Sequence, residues 1–203
     1  SELLKHWASH GFIVVAPIHQ DSYLIQNEYS DMNIKDLVQN ENLWKSRKKD
    51  CSQCLDLIPI IEHTFGIKIL NDRPIIAGHL LGSFITSLII GSTSVNDKNQ
   101  EKIILNDNRF YAGLLLSPYG HGYLGQNEDS WNSVDRPLMV VTGEKDFDTF
   151  QEKVQNKIDP YYLSPSGNKH LIWFCKIWNS LYGGNNLSEN SPYIYLFQDW
   201  LAT

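Results

Sequence analysis

Arg73-Pro-Ile-Ile-Ala-Gly-His-Leu-Leu-Gly-Ser-Phe-Ile-Thr-Ser-Leu-Ile-Ile-Gly91 is the stretch whose reading decides the fold. Its opening, Arg73 to Ala77, is a short apolar run without alternation, which marks a strand buried on both faces of a sheet. Gly78 and Gly82 frame a sharp turn, and an apolar helix then runs through Ile90 until Gly91 ends it. Glycine belongs at both positions because the turn brings strand and helix backbones together, where side chains would clash.

The same pattern extends in both directions. Leu3, Leu4, Trp7 and Ala8 have helical spacing, and Gly11 closes that helix. Phe12-Ile-Val-Val-Ala16 reads as a second doubly buried strand, stopped by Pro17. Residues 18–42 are polar and aperiodic, a segment that at the end of a parallel strand lies over the ligand-binding edge. Leu43 to Phe65 is expected to be one helix, closed by Gly66. Residues 92–108 read as a polar surface excursion without a motif.

Tyr111 to Ser117, Leu138 to Thr142 and Lys169 to Lys176 are three further strands. A Gly-rich loop spans Pro118 to Ser130, a short helix Phe150 to Ile158, a Gly/Asn-rich loop Asn179 to Asn190, and a terminal helix Tyr193 to Leu201. Strands alternating with helices predict an α/β fold, a parallel sheet with helices on both faces. With 203 residues the chain forms one domain, 1–203.

Composition removes several function classes. A net charge of −6 and the absence of a basic run argue against nucleic acid and against a charged membrane surface. The apolar runs are too short for a transmembrane segment. Glu2 and Lys5 interrupt any signal peptide, although the chain starts inside a helical pattern and an upstream part is expected; the compartment is not readable. Three cysteines do not suggest a disulfide scaffold, and Cys51-Ser-Gln-Cys54 has redox or metal spacing without a second ligand pair, so buried helix cysteine is the expectation. The histidines are scattered and supply no metal site, and no cofactor motif is present.

Gly78-His79-Leu80-Leu81-Gly82 has the frame of a nucleophile elbow, Gly-x-Ser-x-Gly, with Leu80 where the serine stands. Around it, in order, come "WASHGFIVVAPIHQDS" (7–22), "RKKDCSQCLDLI" (47–58), "RPIIAGHLLGS" (73–83), "SWNSVDRPLMVVTGEKD" (130–146) and "SPSGNKHLIWFCKIWNSLYGG" (164–184). This series resembles the α/β-hydrolase superfamily, of the dienelactone-hydrolase or platelet-activating-factor-acetylhydrolase type, over nearly the whole chain. The family's amino-terminal strands, and the loop that supplies one oxyanion-hole amide, have no counterpart before Ser1.

The resemblance implies a carboxylic-ester hydrolase ancestry and a degenerate catalytic triad. It places the acid at Asp146, with Asp148 as the near alternative, and the base at a position occupied by Trp178. A shifted register would make His170 the base, although the turn before it sets it at the wrong end of its strand. Leu80 cannot be a nucleophile, and Ser83, three residues on in the first helical turn, points along the helix and away from a site. His79 is expected to pack or hydrogen-bond beneath the turn, His63 to face solvent, and His19 and His121 to lie on strand-end loops that line a pocket.

Three functions follow. The first is a catalytically inactive homologue acting as a structural or binding subunit, with a partner chain or an upstream segment covering the sheet edge near Phe12–Ala16. The second is an ester or lipid hydrolase with an unrecognised or mutated nucleophile. The third is a small acyl-ligand binder using the old pocket. The elbow frame of Gly78, His79, Gly82 and Ser83 is common to all three.

Overall fold

The computed structural model describes residues 2–22, 32–69, 73–96, 99–147 and 153–178. Four parallel strands make the main sheet: β1 (Ile75–His79), β4 (Ala112–Leu116), β5 (Leu138–Lys145) and β6 (Lys169–Trp178), in the order β1-β4-β5-β6. Ile75 pairs with Ala112, Gly113 with Leu138, and Leu138 with Lys169, so the carboxyl ends of all four strands lie together.

The side-chain period of two sends alternate residues to opposite faces. Leu115, Leu138 and Val140 face α5 (Leu81–Ile89) and α3 (Glu41–Asp56), where Phe84, Leu88, Ile89 and Trp44 complete the larger core. Each such fully buried side chain contributes on the order of 1.5–3 kcal/mol. Leu114, Leu116, Met139 and Val141 face the other way, onto Leu3 and Trp7 of α1 (Glu2–Ser9). The sheet is therefore flanked by helices on both faces, the α/β architecture that the apolar runs predict.

Five expectations need correction. Phe12–Ala16 is extended but belongs to no sheet, and Ile13 and Val15 are nearly half exposed, at 44% and 47%. An apolar run becomes a strand only when a neighbour takes its backbone hydrogen bonds; here Phe12 N turns back to Trp7 O, and residues 13–16 make no backbone bond among the described residues. The helix expected from Leu43 to Phe65 is two helices, α3 and α4 (Ile58–Phe65), meeting at Leu57. Pro59 lacks an N–H and cannot continue α3, but it fits the first turn of α4.

The supposed surface excursion contains an antiparallel hairpin, β2 (Thr93–Val95) and β3 (Lys102–Ile104), with Ser92, Thr93 and Ser94 buried. Within the polar segment a short helix, α2 (Ile34–Val38), forms because the Asn33 side chain accepts from Lys35 N and Asp36 N, and Asn40 caps α3 likewise. The helix expected from Phe150 is a 3-10 turn over Val154–Ile158 that runs into α6 (Asp159–Tyr162), while 148–152 lie outside the described residues. The loop from Asn179 and the terminal helix from Tyr193 also lie outside them.

Candidate functional site

In a parallel sheet the strand carboxyl ends form the ligand edge, and here that edge begins with the turn after β1. Leu80 sits at φ 50°, ψ −113°, a backbone shape that costs a non-glycine residue about 1–3 kcal/mol. It is held from both sides. Its N–H donates to Leu116 O at 3.1 Å, while its carbonyl accepts from Ser83 N at 2.9 Å and Phe84 N at 3.1 Å. A Cβ on Gly78 would stand 2.1 Å from the carbonyl carbon and oxygen of Gly82, which explains glycine at the first of these positions. Nothing lies within 4 Å of a Cβ placed on Gly82, so the close-approach reason does not extend to it. The Leu80 side chain is partly buried against the larger core.

Ser83 is fully buried and donates its Oγ back to Leu80 O at 2.8 Å, so its hydroxyl closes the helix turn. His79 ends β1 half-buried, and His63 is exposed on α4.

Asp146 follows β5 at the same edge and is fully buried. Ser117 Oγ donates to its Oδ1 at 2.9 Å and Thr142 Oγ1 to its Oδ2 at 2.7 Å. The third neighbour is Lys157, with Nζ 3.5 Å from Oδ1 and a side chain sealed from solvent. The ammonium also lies 5.9 Å from the centre of the Tyr119 ring, a cation–π distance. A carboxylate so placed has its charge balanced by a lysine and its oxygens filled by hydroxyls. Asp148 lies outside the described residues.

The two candidate base positions sit at opposite ends of β6. Trp178 closes the strand with its backbone in register with Lys145, beside the acid's turn. His170 pairs with Met139 near the start of the strand, is exposed, and shares a 2.8 Å hydrogen bond with Asn168 Oδ1. The sheet thus separates His170 from Leu80 and Asp146.

Two other histidines join carboxylates. His121, on the loop after β4, donates from its backbone N and from Nδ1 to Asp159 Oδ2, at 3.0 and 2.6 Å. His19 Nδ1 lies 2.7 Å from Asp50 Oδ2 on α3. Close by, Arg47 Nε and Nη2 both donate to Asp21 Oδ2, at 3.0 and 2.8 Å. These bonds tie residues 19–21 to α3, and among the described residues neither histidine hydrogen-bonds to a nucleophilic side chain.

The Asp50 and Arg47 helix also carries the cysteine pair. Both thiols are half-buried, and desolvation pushes Cys51 up to about 11, with the Cys54 and Asp50 charges adding to the rise. Such thiols stay protonated at neutral pH and are poor nucleophiles. Among the described residues no group of three metal-ligating side chains occurs, and no helix is long and apolar enough to cross a membrane.

Sequence reading located Leu80 and Asp146 but missed Ser117, Thr142, Lys157 and Asp159. Ser117 and Thr142 end apolar strands at the ligand edge, a positional signal that was available. Lys157 gave no signal, because a lysine among Gln155, Asn156 and Asp159 looks like a surface residue. What the fold defines is an α/β domain with a tight strand-turn-helix at the carboxyl edge and a sealed Asp–Lys pair beside it. No known family model matches the chain, and no curated protein matches it.

Proposed function

We propose that this chain is a catalytically inactive homologue of the α/β-hydrolases, of dienelactone-hydrolase or platelet-activating-factor-acetylhydrolase type, serving as a structural or binding subunit of a larger assembly. The observation that carries this reading is Leu80. It occupies the strained turn position, φ 50°, held at both its N–H and its carbonyl, yet offers only a hydrocarbon side chain. Strain of this kind is found where a reacting group is presented, and here no reacting group is presented.

The acid supports the same reading. A triad carboxylate works by orienting an imidazole, whereas Asp146 is occupied by Ser117, Thr142 and Lys157. A partner for the assembly would dock along the flank that ends in Phe12–Ala16, where Ile13 and Val15 are exposed.

A fluorophosphonate probe, with a panel of short- and long-chain acyl nitrophenyl esters, tests the chemistry. No serine labels and no ester turns over above buffer. Heat-sensitive labelling of any serine would overturn the inactive reading. Light scattering on the chain purified from its native source tests the assembly: a complex heavier than the chain is expected, and a free monomer rejects the subunit role.

A further inference from the structure

A cleft of about 1300 Å³ separates the extended segment Phe12–Pro17 from β1, and α3 turns two thiols to it, Cys51 and Cys54. Three residues apart on a helix, they share one face, with Cβ atoms about 5–6 Å from each other. Cys51 and Leu55 pack against the larger core, and Leu55, Ile58 and Ile85 surround the pair with hydrocarbon. Neither thiol has a part in the reading of Leu80 and Asp146.

A Cys-x-x-Cys pair can make a disulfide, contribute to a zinc site, or hold a two-coordinate soft cation. Geometry separates the three. A disulfide needs Cβ atoms about 3.5–4.5 Å apart, so α3 would have to distort at this turn to form one. The turn is pinned on both sides. Asp50 Oδ2 lies 2.7 Å from His19 Nδ1, Ser52 Oγ donates to Asp107 Oδ2 at 2.7 Å, and Ser52 O accepts from Arg109 Nη2 at 3.3 Å. Distorting it would strand the buried Ser52 and Asp107 without their partners.

Structural zinc takes four ligands, and among the described residues no third metal-ligating side chain joins the pair. A two-coordinate cation asks for less. Two metal–sulfur bonds of about 2.3 Å in line set the sulfurs about 4.6 Å apart. Rotation about the two Cα–Cβ bonds reaches that separation with the helix intact. Soft thiolate ligands select monovalent copper over harder ions.

We propose that Cys51 and Cys54 form a two-coordinate site for a soft monovalent cation of the copper(I) class. Binding exchanges two S–H bonds for two S–Cu bonds. Each thiol releases a proton, copper keeps its single positive charge, and the complex carries one net negative charge. Burial pushes the Cys51 thiol up to about 11, with Cys54 and Asp50 adding to the rise and Arg47 opposing it. Protons therefore compete for the sulfurs at neutral pH, and the apparent affinity rises by up to about a hundredfold per pH unit there. The site belongs to α3 and does not depend on the domain being inactive.

The test titrates the reduced 203-residue chain with copper(I) held by bicinchoninate, without oxygen. One ion per chain is drawn from the chelator, more tightly as pH rises. X-ray absorption shows two sulfur neighbours at about 2.3 Å. Cys51→Ser and Cys54→Ser each weaken binding at least about a hundredfold. Cys175→Ser, which removes the exposed third thiol, leaves it unchanged. Four outcomes would overturn the proposal: no copper drawn from the chelator, an affinity independent of pH, binding lost with Cys175→Ser, or a shell of nitrogen and oxygen neighbours. Treatment with oxidised glutathione leaves the mass of the pair unchanged; a loss of two hydrogens that Cys51→Ser prevents would assign a disulfide there instead. The absorption measurement uses the unsubstituted chain and decides the matter even where a serine variant fails to fold. Serine labelling by the fluorophosphonate would remove the inactive reading and leave this result standing.

Discussion

The two flanks of the sheet that meet at β1 are built to opposite standards. Its carboxyl end is closed: Leu80 is fixed by Leu116, Ser83 and Phe84, and Asp146 by Ser117, Thr142 and Lys157. Its outer edge is open, with Ala77, Ile13 and Val15 exposed and no backbone hydrogen bond at residues 13–18 among the described residues. Polar groups that leave water must find partners, so the closed end is specified group by group. Apolar surface needs only to be covered, so the open edge records where a neighbour belongs without saying what its residues are.

The contrast is most exposed to failure at the buried ion pair. Lys157→Met strips the Asp146 charge of its counter-ion inside the protein and is expected to cost about 3 kcal/mol in urea denaturation, with Lys157→Met/Asp146→Asn recovering most of the loss. An unchanged midpoint for the single variant would mean that the closed end is not sealed.

A smaller effect is expected at Asp107, which joins α3 to the loop before β4. Arg109 donates to both its oxygens, and Ser52 donates to Oδ2 at 2.7 Å. The Arg109 hydrogen bonds hold the carboxyl well below its ordinary 3.8, against the opposing cost of burial and with Ser52 assisting. A depressed folded value stabilises the protein above the unfolded value, and the contribution is lost as pH falls below about 3.8 towards the lower folded value. Asp107→Asn should cost about 2 kcal/mol at pH 7 and flatten the stability-against-pH curve below pH 4, read by thermal melts between pH 2 and 7.

The smallest effect sharpens the open side. Ile13→Ser in the 203-residue chain is expected to change stability by less than about 0.5 kcal/mol in the same denaturation assay, because nearly half of the residue is already in water. A loss comparable to that at Lys157 would show that the flank is packed and that the comparison fails.

How much of this was legible beforehand differs element by element. β4 and β5 could be placed from their apolar runs because a strand covered on both faces has no polar alternation to dilute the signal, and β1 and β6, at the sheet's edges, carry similar runs although Ala77 and Trp173 are exposed. The turn at Leu80 was legible from two glycines at fixed spacing. The break at Leu57 was readable from Pro59 and was overlooked, because the apolar period runs on across it. The β2–β3 hairpin was hidden by its buried serines and threonine, which look like loop residues until the structure supplies their hydrogen bonds.

The amino-acid sequence by itself determined the class of fold, the direction of the chain through it, and the leucine at the turn after β1, since each depends on residues close together in the chain. Tertiary structure alone decided that Lys157 neutralises Asp146, that His121 meets Asp159, and that residues 13–16 pair with no described strand across a cleft from β1. Those are relations between distant segments. A lysine carries the same local signature whether it ends in water or against a buried carboxylate, and an apolar run reads as a strand whether or not its neighbour is there. Only the assembled sheet distinguishes the two.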